Sequence, residues 1–340
     1  MKIVFPETPS KFLIIKPSAL GDIVHTLPFL SILNRTYPDA EIHWVVAQGL
    51  HRFLENHPLI NKLWVFDKDR WKRIFNLGQT LREIASLRRG LKEQNFDVAV
   101  DLSGLLRSGL ITMASGARVK LGFSDSNEGS PFFYSHKLKG GSKIHAIDRY
   151  LKLAAAIGCD LHPINYPFAP YPENPPICRD LPEEYAVIVP SAGKEANRWP
   201  VDRFGRLAAR LALPSVVIGG TSDVGIAKEV VRIAGKNAVS LAGRTSLKEL
   251  IPIIKKAKFM ITNDTGPMHI AAGLNVPVFA IFGPANPVRT GPYGSIHKII
   301  REEMDCSPCY RWKPCSHWKC MKNITVERVL REIETGNLKF

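Results

Sequence analysis

Two stretches of alternating strand and helix patterns are the feature that most constrains this fold. In each, short apolar runs such as residues 12–15 alternate with segments whose apolar residues recur every three or four positions, as in 71–94. Short apolar runs are typical of buried strands, and apolar residues at every third or fourth position are typical of amphipathic helices. Their regular alternation predicts an α/β protein with parallel sheets that carry helices on both faces.

A proline-rich segment separates the two stretches. Seven prolines fall between Pro163 and Pro182, and this density opposes helices and interior strands because proline fixes φ and lacks an amide hydrogen. We predict an N-terminal domain at 1–165, a linker at 166–184 and a C-terminal domain at 185–340. The alternative is a surface loop within one domain. Ligands bind at the carboxyl ends of parallel strands, so two Rossmann-like domains would face each other across one cleft.

The composition restricts the partners of the chain. Lys and Arg number 46 against 31 Asp and Glu, for a net charge of +15 over 340 residues. That charge favours an anionic partner, which leaves nucleic acid, a phosphorylated small molecule and an anionic membrane surface open. No apolar run is long enough to span a bilayer, and the N-terminus has no signal-peptide pattern. We expect a cytoplasmic protein, and we identify no amphipathic membrane anchor in the sequence.

The first of three strand-to-helix turns is "KPSALGDIVHT", residues 16–26. Gly21 permits a tight turn, and Asp22 lies at the start of the following helix. One interpretation is that Asp22 only caps that helix by accepting from free backbone N–H groups. The other is that Asp22 is a general base for a hydroxyl. His25 is interpreted as a packing or hydrogen-bonding residue.

The second turn, "PSAGKEANRWP", combines small residues with two cations. Ser191 and its neighbours would let backbone N–H groups approach an anion, and Lys194 and Arg198 add positive charge. A helix start beside cations is a suitable phosphate site. The alternative is that both cations are simply solvated.

The third turn, "NDTGPMH", places a carboxylate where a phosphate site is otherwise expected. Thr265 and Gly266 offer backbone N–H groups at a helix start, which favours negative charge. Asp264 would repel a phosphate, so we expect it to face neutral hydroxyls of a sugar instead. The three turns together predict a glycosyl-transfer site in which a nucleotide diphosphate is the leaving group.

Several motifs also resemble one family, the bacterial heptosyltransferases of lipopolysaccharide inner-core assembly. They are "KPSALGDIVHTLP", "DLSGLLRSGL", "NRWP", "NDTGPMHIAAGLNVPVFAIFGPANP" and "CSPCYRWKPCSHWKCMKNITVERV". The resemblance covers nearly the whole chain. It implies the GT-B architecture of two Rossmann-like domains facing each other across a cleft, an ADP-heptose donor, inversion at the anomeric carbon and no metal requirement.

The resemblance also implies roles for individual residues. Asp22 matches the proposed general base of the family. The positions that match the donor-binding motif are Asp264, Thr265, Gly266 and His269. The family usually has Lys where this chain has Asn197, so either Arg198 or Lys194 would supply the phosphate cation.

The acceptor implied by the resemblance is a Kdo or heptose residue of the nascent lipid A core. It is reached at the cytoplasmic face of the inner membrane, where the protein would make peripheral contact with anionic lipid. Arg107 is our candidate for binding an anionic acceptor, the alternative being a solvated helix residue. "SALGDIVHTLP" favours transfer of the first heptose to Kdo-lipid A, and transfer of a second heptose or another core sugar stays open.

Four cysteines lie close together near the C-terminus: Cys306, Cys309, Cys315 and Cys320. Their spacing permits a structural zinc site, whereas the alternative is a set of reduced thiols packed under the C-terminal segment. Together with the positive charge they raise a rival function, a zinc-stabilised nucleic-acid-binding protein. A non-catalytic nucleotide-sugar sensor is a third. Neither rival has a use for a base at Asp22, and we favour the enzyme, with no nucleic-acid partner.

Overall fold

The protein forms two compact units in a computed structural model that describes residues 2–68, 70 and 77–336. Unit 1 comprises Met1–Pro170, and unit 2 comprises Tyr171–Phe340. The division falls inside the proline-rich segment. Each unit contains one sheet, and each is described by itself below.

Unit 1 is built on a six-stranded parallel sheet. Its strands are β1 (Lys11–Ile15), β2 (Glu41–Ala47), β3 (Lys62–Phe66), β4 (Val98–Asp101), β5 (Val119–Phe123) and β6 (His136–Leu138). Their order is β3-β2-β1-β4-β5-β6, which is the Rossmann order. The central strands are apolar on both faces because helices cover both sides of a parallel sheet.

Five α-helices accompany this sheet in the described part of unit 1. They are α1 (Leu20–Thr36), α2 (His51–Leu54), α3 (Leu77–Glu93), α4 (Leu106–Ala114) and α5 (Ala146–Ala156). One core cluster joins Leu13 and Ile15 of β1 to Leu91 of α3 and Ile111 of α4. The predicted helix at 71–94 corresponds to α3, and its first six residues lie outside the described residues.

Unit 2 repeats the same architecture. Its parallel strands are β7 (Ala186–Val189), β8 (Ser215–Val217), β9 (Ala238–Ser240), β10 (Phe259–Asn263), β11 (Val278–Phe282) and β12 (Lys298–Arg301). Its helices are α6 (Val201–Arg210), α7 (Val224–Ala234), α8 (Leu250–Lys255), α9 (Gly266–Gly273), α10 (Pro287–Thr290), α11 (Lys319–Lys322) and α12 (Val326–Thr335). The strand order β12-β11-β10-β7-β8-β9 is again the Rossmann order.

The two sheets confirm the predicted α/β class. The apolar runs of the sequence predict five strands in each half of the chain, and each sheet has a sixth. The additional strands are β6 and β12, one at an edge of each sheet. Both are short, and much of each is accessible to solvent. An edge strand is packed on fewer sides and needs fewer apolar residues, so its sequence carries a weak signal.

None of the described helices is both long enough and apolar enough to cross a bilayer.

Candidate active site

In each unit the predicted site turns follow the two central strands. In unit 1 the chain continues from β1 toward one edge of the sheet and from β4 toward the other edge. In unit 2 the chain diverges in the same way after β7 and β10. This is the point in a doubly wound sheet where a crevice opens at the carboxyl ends of the strands. All three turns identified in the sequence therefore lie where this fold binds ligands.

Asp22 lies in the first turn of α1, with its two carboxylate oxygens in different environments. Oδ2 accepts a hydrogen bond of 2.9 Å from the backbone N–H of Ala19, so the capping interpretation holds for that oxygen. Oδ1 lies 3.4 Å from the Lys16 ammonium and accepts a 3.3 Å hydrogen bond from the Tyr150 hydroxyl. The side chain is 41% exposed. A carboxylate can accept about four hydrogen bonds, so capping leaves Asp22 able to meet a substrate hydroxyl.

Lys16 is the buried member of this group. Its ammonium also donates to the Leu102 carbonyl at 3.1 Å, while the Trp44 indole donates to the Lys16 carbonyl at 3.1 Å. Burial lowers the pKa of Lys16, but the neighbouring Asp22 carboxylate and Tyr150 hydroxyl outweigh burial and raise that pKa above its usual value. The ammonium is thus a permanent positive charge beside Asp22.

Tyr150, on α5, completes the group. Burial raises the pKa of Tyr150 to about 12; Lys16 opposes this shift and Asp22 adds to it. The Tyr150 hydroxyl therefore stays protonated and donates a hydrogen bond to Asp22. The sequence analysis did not identify either partner of Asp22. Lys16 had a local signal, since it directly follows β1, whereas Tyr150 lies 128 residues from Asp22. His25 is buried, and its ring centroid lies 5.1 Å from that of His145.

Arg107 lies in the first turn of α4, after a firmly held turn that follows β4. Asp101 organises the turn by accepting from the backbone N–H of Ser103 and Gly104 and from the Tyr134 hydroxyl at 2.7 Å. Burial raises the pKa of Asp101, against these hydrogen bonds. Arg107 itself lines a groove between α3 and α4, so the structure does not place its side chain in the Lys16 group.

In unit 2, the turn after β7 holds its two cations in different ways. Ser191 is buried at the carboxyl end of the strand. The Arg198 guanidinium donates to the Ala192 carbonyl across the turn at 2.9 Å. Lys194 instead points toward residues 306–320, which we call the cysteine-rich segment. There its ammonium lies 3.4 Å from the Tyr310 carbonyl and 5.4 Å from the Trp312 ring centroid.

Asp264 and Asn197 connect the turns after β10 and β7. The Asn197 amide donates to Asp264 Oδ2 at 3.1 Å, and Asn197 is buried. Asn263 reinforces the connection, because its side chain accepts from the backbone N–H of Trp199 at 2.9 Å and donates to the Pro190 carbonyl at 2.8 Å. A neutral amide therefore occupies the position beside the carboxylate where the family pattern has Lys.

Thr265 and Gly266 begin α9. Thr265 is extended, and the helix starts at Gly266 with Pro267 in its first turn. The first backbone N–H groups of a helix precede its hydrogen-bonded ladder and carry its positive dipole end, as the phosphate interpretation requires. His269 is buried one turn further along.

The cysteine-rich segment packs beside these turns in unit 2. The N–H groups of Cys309 and Tyr310 donate to the Pro284 carbonyl at 3.0 and 2.9 Å. The Ala196 N–H donates to the Trp312 carbonyl at 3.0 Å. In the part of the chain that the structure describes, no three His, Cys, Asp or Glu side chains are grouped to hold a metal ion. Zinc binding by the four cysteines thus stays a prediction, while the segment has a visible role in supporting the turns.

Comparison with known proteins finds one kind of enzyme among those similar to this chain. The profile of glycosyltransferase family 9 (heptosyltransferase) matches residues 84–319, more than half of the chain. Lipopolysaccharide heptosyltransferase 1 of Pseudomonas aeruginosa is 28% identical over 320 residues, covering 90% of this chain and 88% of the relative.

Solved structures agree on the fold. Escherichia coli heptosyltransferase WaaC with ADP superposes with a TM-score of 0.78 and 24% identity, covering 96% of this chain and 99% of WaaC. Escherichia coli ADP-heptose lipopolysaccharide heptosyltransferase II gives a TM-score of 0.76 with 24% identity, covering 96% and 98%. At this identity the likeness establishes the fold, and the nearly equal scores do not discriminate between acceptors.

Proposed function

Since the chain belongs to glycosyltransferase family 9, the heptosyltransferase family, we propose that it transfers L-glycero-D-manno-heptose from ADP-heptose to a hydroxyl of the lipopolysaccharide inner core. The observation that carries this proposal is the pair of half-sites at the carboxyl ends of the central strands. Unit 1 has a carboxylate held by a buried lysine and a tyrosine. Unit 2 has a helix start, cations and a second carboxylate.

In the proposed reaction Asp22 is the general base. It takes the proton of the acceptor hydroxyl as that oxygen attacks the anomeric carbon of heptose from the face opposite the phosphate. The new C–O bond forms while the bond from that carbon to the ADP oxygen breaks, so the configuration inverts and ADP leaves with the bonding electrons. A positioned base is typically worth about 10²- to 10⁴-fold in rate.

Unit 2 would bind the donor. The backbone N–H groups of Thr265 and Gly266 and the dipole of α9 would stabilise negative charge on the departing diphosphate. Arg198 lies in the neighbouring turn, and we assign it the role of the phosphate-binding cation because Lys194 is directed to the Tyr310 carbonyl. Asp264 would accept hydrogen bonds from donor hydroxyls with its remaining lone pairs.

For the acceptor we propose Kdo-lipid A, the first heptose transfer. The support is the relative from Pseudomonas aeruginosa, which is a lipopolysaccharide heptosyltransferase 1 and aligns over 90% of this chain. Arg107 is proposed to bind an anionic group of this acceptor. The enzyme would act from the cytoplasm at the inner face of the inner membrane, with no metal in the chemical step and no nucleic-acid partner.

The test is release of ADP from ADP-heptose with two acceptors, Kdo-lipid A and a core that already carries one heptose. We expect release with Kdo-lipid A, and release only with the heptosylated core would move the assignment to a later transfer. The Asp22→Asn enzyme should bind ADP-heptose normally and lose turnover at least 100-fold. Asparagine keeps an oxygen that can accept from the Ala19 N–H. The variant therefore retains the helix cap and should fold, so that a loss of turnover reports on the base and not on stability.

A further inference from the structure

A cluster of exposed apolar side chains marks one side of unit 1. Leu106, Leu110 and Met113 of α4 follow one another at the i, i+4 and i+7 spacing of a single helix face. They are 46%, 43% and 51% exposed. Leu105, just before α4, and Ile84 of α3 are exposed beside them. Contiguous exposed apolar surface is uncommon on soluble proteins and marks sites of interaction.

All of these side chains except Leu105 line a groove of about 710 Å³ between α3 and α4, which we call the α3–α4 groove. Its apolar lining comes from both helices: Ile84, Leu87, Leu91, Leu110, Ile111 and Met113. The two helices are separated in the sequence by β4, so the apolar surface is divided between two segments and no single stretch of the sequence shows all of it.

Positive charge surrounds the α3–α4 groove. Arg88, Lys92 and Arg107 are among its lining residues, and Arg88 and Lys92 are exposed. Among the lining residues that the structure describes, Glu128 is the acidic one, and its carboxylate accepts from the Leu106 N–H at the start of α4, at 3.2 Å. In this described lining, three cations against one engaged carboxylate, in a chain of net charge +15, make the surface complementary to an anionic apolar partner.

We propose that the α3–α4 groove is the face by which this protein docks on an anionic phospholipid bilayer. The apolar side chains of α4 enter the boundary between head groups and acyl chains, while Arg88 and Lys92 meet lipid phosphates. A second copy of the chain fits less well, because a two-fold interface would bring the cations of both copies together. The inference rests on the proposed function, in which the acceptor is a lipid, and adds where the enzyme meets that lipid's membrane.

The experiment is sedimentation of the full chain with vesicles of phosphatidylglycerol and phosphatidylethanolamine, compared with phosphatidylcholine alone. The Arg88→Gln/Lys92→Gln variant should bind the anionic vesicles roughly 25-fold more weakly, at about fivefold per cation. The Leu110→Asp variant should bind at least roughly tenfold more weakly, because a carboxylate opposes insertion. Binding of the wild type should fall as salt is raised.

Matched changes elsewhere control for net charge and surface apolarity. Val239, 42% exposed on β9, is changed to Asp, and the exposed Lys228 and Lys236 are both changed to Gln. These variants should bind vesicles within about twofold of the wild type if the site is local. Equal loss in the control and groove variants would show a diffuse charge effect and overturn the proposal.

Two other occupants of the α3–α4 groove would give different results. If a second copy covers the groove, light scattering will show a dimer that Leu110→Asp disperses without changing vesicle binding. If another part of the chain fills the groove, Leu110→Asp will lower the melting temperature and leave vesicle binding unchanged. Either result overturns the proposal. ADP release with a water-soluble Kdo acceptor should be unaffected in all variants, so that failure of the proposed function is seen separately, as no release by the wild type.

Discussion

Replacing Lys16 with methionine tests whether this buried ammonium positions Asp22. The two charges are 3.4 Å apart, which corresponds to about 1 kcal/mol in water and about 5 kcal/mol at an effective dielectric constant of about 20. Because the Asp22 side chain is 41% exposed, solvent screening places the interaction near the lower value, at about 1–2 kcal/mol. Without that energy Asp22 leaves its reactive orientation in most molecules, and a reactive fraction reduced by this amount slows turnover roughly 5- to 30-fold.

The assay is release of ADP at saturating ADP-heptose, with Kdo-lipid A as acceptor. For Lys16→Met we expect kcat to fall roughly 5- to 30-fold while KM for ADP-heptose stays unchanged, because Lys16 belongs to unit 1. Methionine fills most of the lysine stem, and the Leu102 carbonyl loses one donor, at a cost of about 1–2 kcal/mol of stability. The variant should therefore fold, which its melting temperature will check.

Lys11→Met is the matched control. Lys11 is the first residue of β1, at the end of the strand away from Lys16, and its ammonium pairs with Glu41 at 2.8 Å. The substitution removes one positive charge, as Lys16→Met does, without touching Asp22, so kcat should stay within about twofold of the wild type.

A double-mutant cycle distinguishes positioning from an independent effect. If Lys16 acts through Asp22, adding Lys16→Met to Asp22→Asn should change kcat by less than about twofold. The reasoning is refuted if Lys16→Met alone leaves kcat at the wild-type value, or if the same loss is repeated in full in the Asp22→Asn enzyme.

The other predictions concern the donor half-site, pH and metal. Asp264→Ala should lower kcat/KM for ADP-heptose roughly 10- to 100-fold, because it removes charge-assisted hydrogen bonds to the donor. Asn197→Ala leaves the carboxylate in place and should lower kcat/KM less than about fivefold. Equal effects of the two substitutions would contradict the role of Asp264. Burial lowers the pKa of His43 to about 4 from 6.5, so the folded chain keeps this side chain neutral. As pH falls from 6.5 to 4, the unfolded chain gains a proton that the folded chain does not, and urea titrations should show the free energy of unfolding falling by up to about 1.4 kcal/mol per pH unit. The His43→Gln chain should lose that part of the slope, and an unchanged slope would contradict the assignment. Dialysis against EDTA should leave kcat unchanged, and a loss of turnover in a chain that stays folded would contradict the proposed metal-free step. Zinc at one equivalent in the purified protein would show that the chain holds a metal, as the prediction for the cysteine-rich segment requires.

Local pattern was sufficient to predict the central strands and the turns that follow them. Asp22 and Asp264 each lie within a few residues of the strand that positions them, and parallel sheets bind ligands at that end. Strand–helix alternation likewise indicated the α/β class, because it depends only on the spacing of apolar residues. The edge strands β6 and β12 escaped notice because their partial exposure removes the apolar signal.

Contacts between distant parts of the chain could not be predicted in the same way. Tyr150 reaches Asp22 only because α5 packs beside α1 in the folded unit. Lys194 is turned toward Tyr310, which is 116 residues away, by packing of the cysteine-rich segment. No local periodicity encodes such pairs, since they depend on how elements are stacked rather than on which elements form. The α3–α4 groove escaped prediction for the same reason.

The repeated Rossmann order has a consequence for how this enzyme's substrate preferences can evolve. Each half-site is formed by residues of a single unit, with the proposed acceptor residues before Pro170 and the proposed donor residues after it. Substitutions that change the acceptor and substitutions that change the donor thus accumulate in different halves of the gene. A single recombination within the proline-rich segment would combine the acceptor preference of one parent with the donor preference of another, leaving both sheets intact.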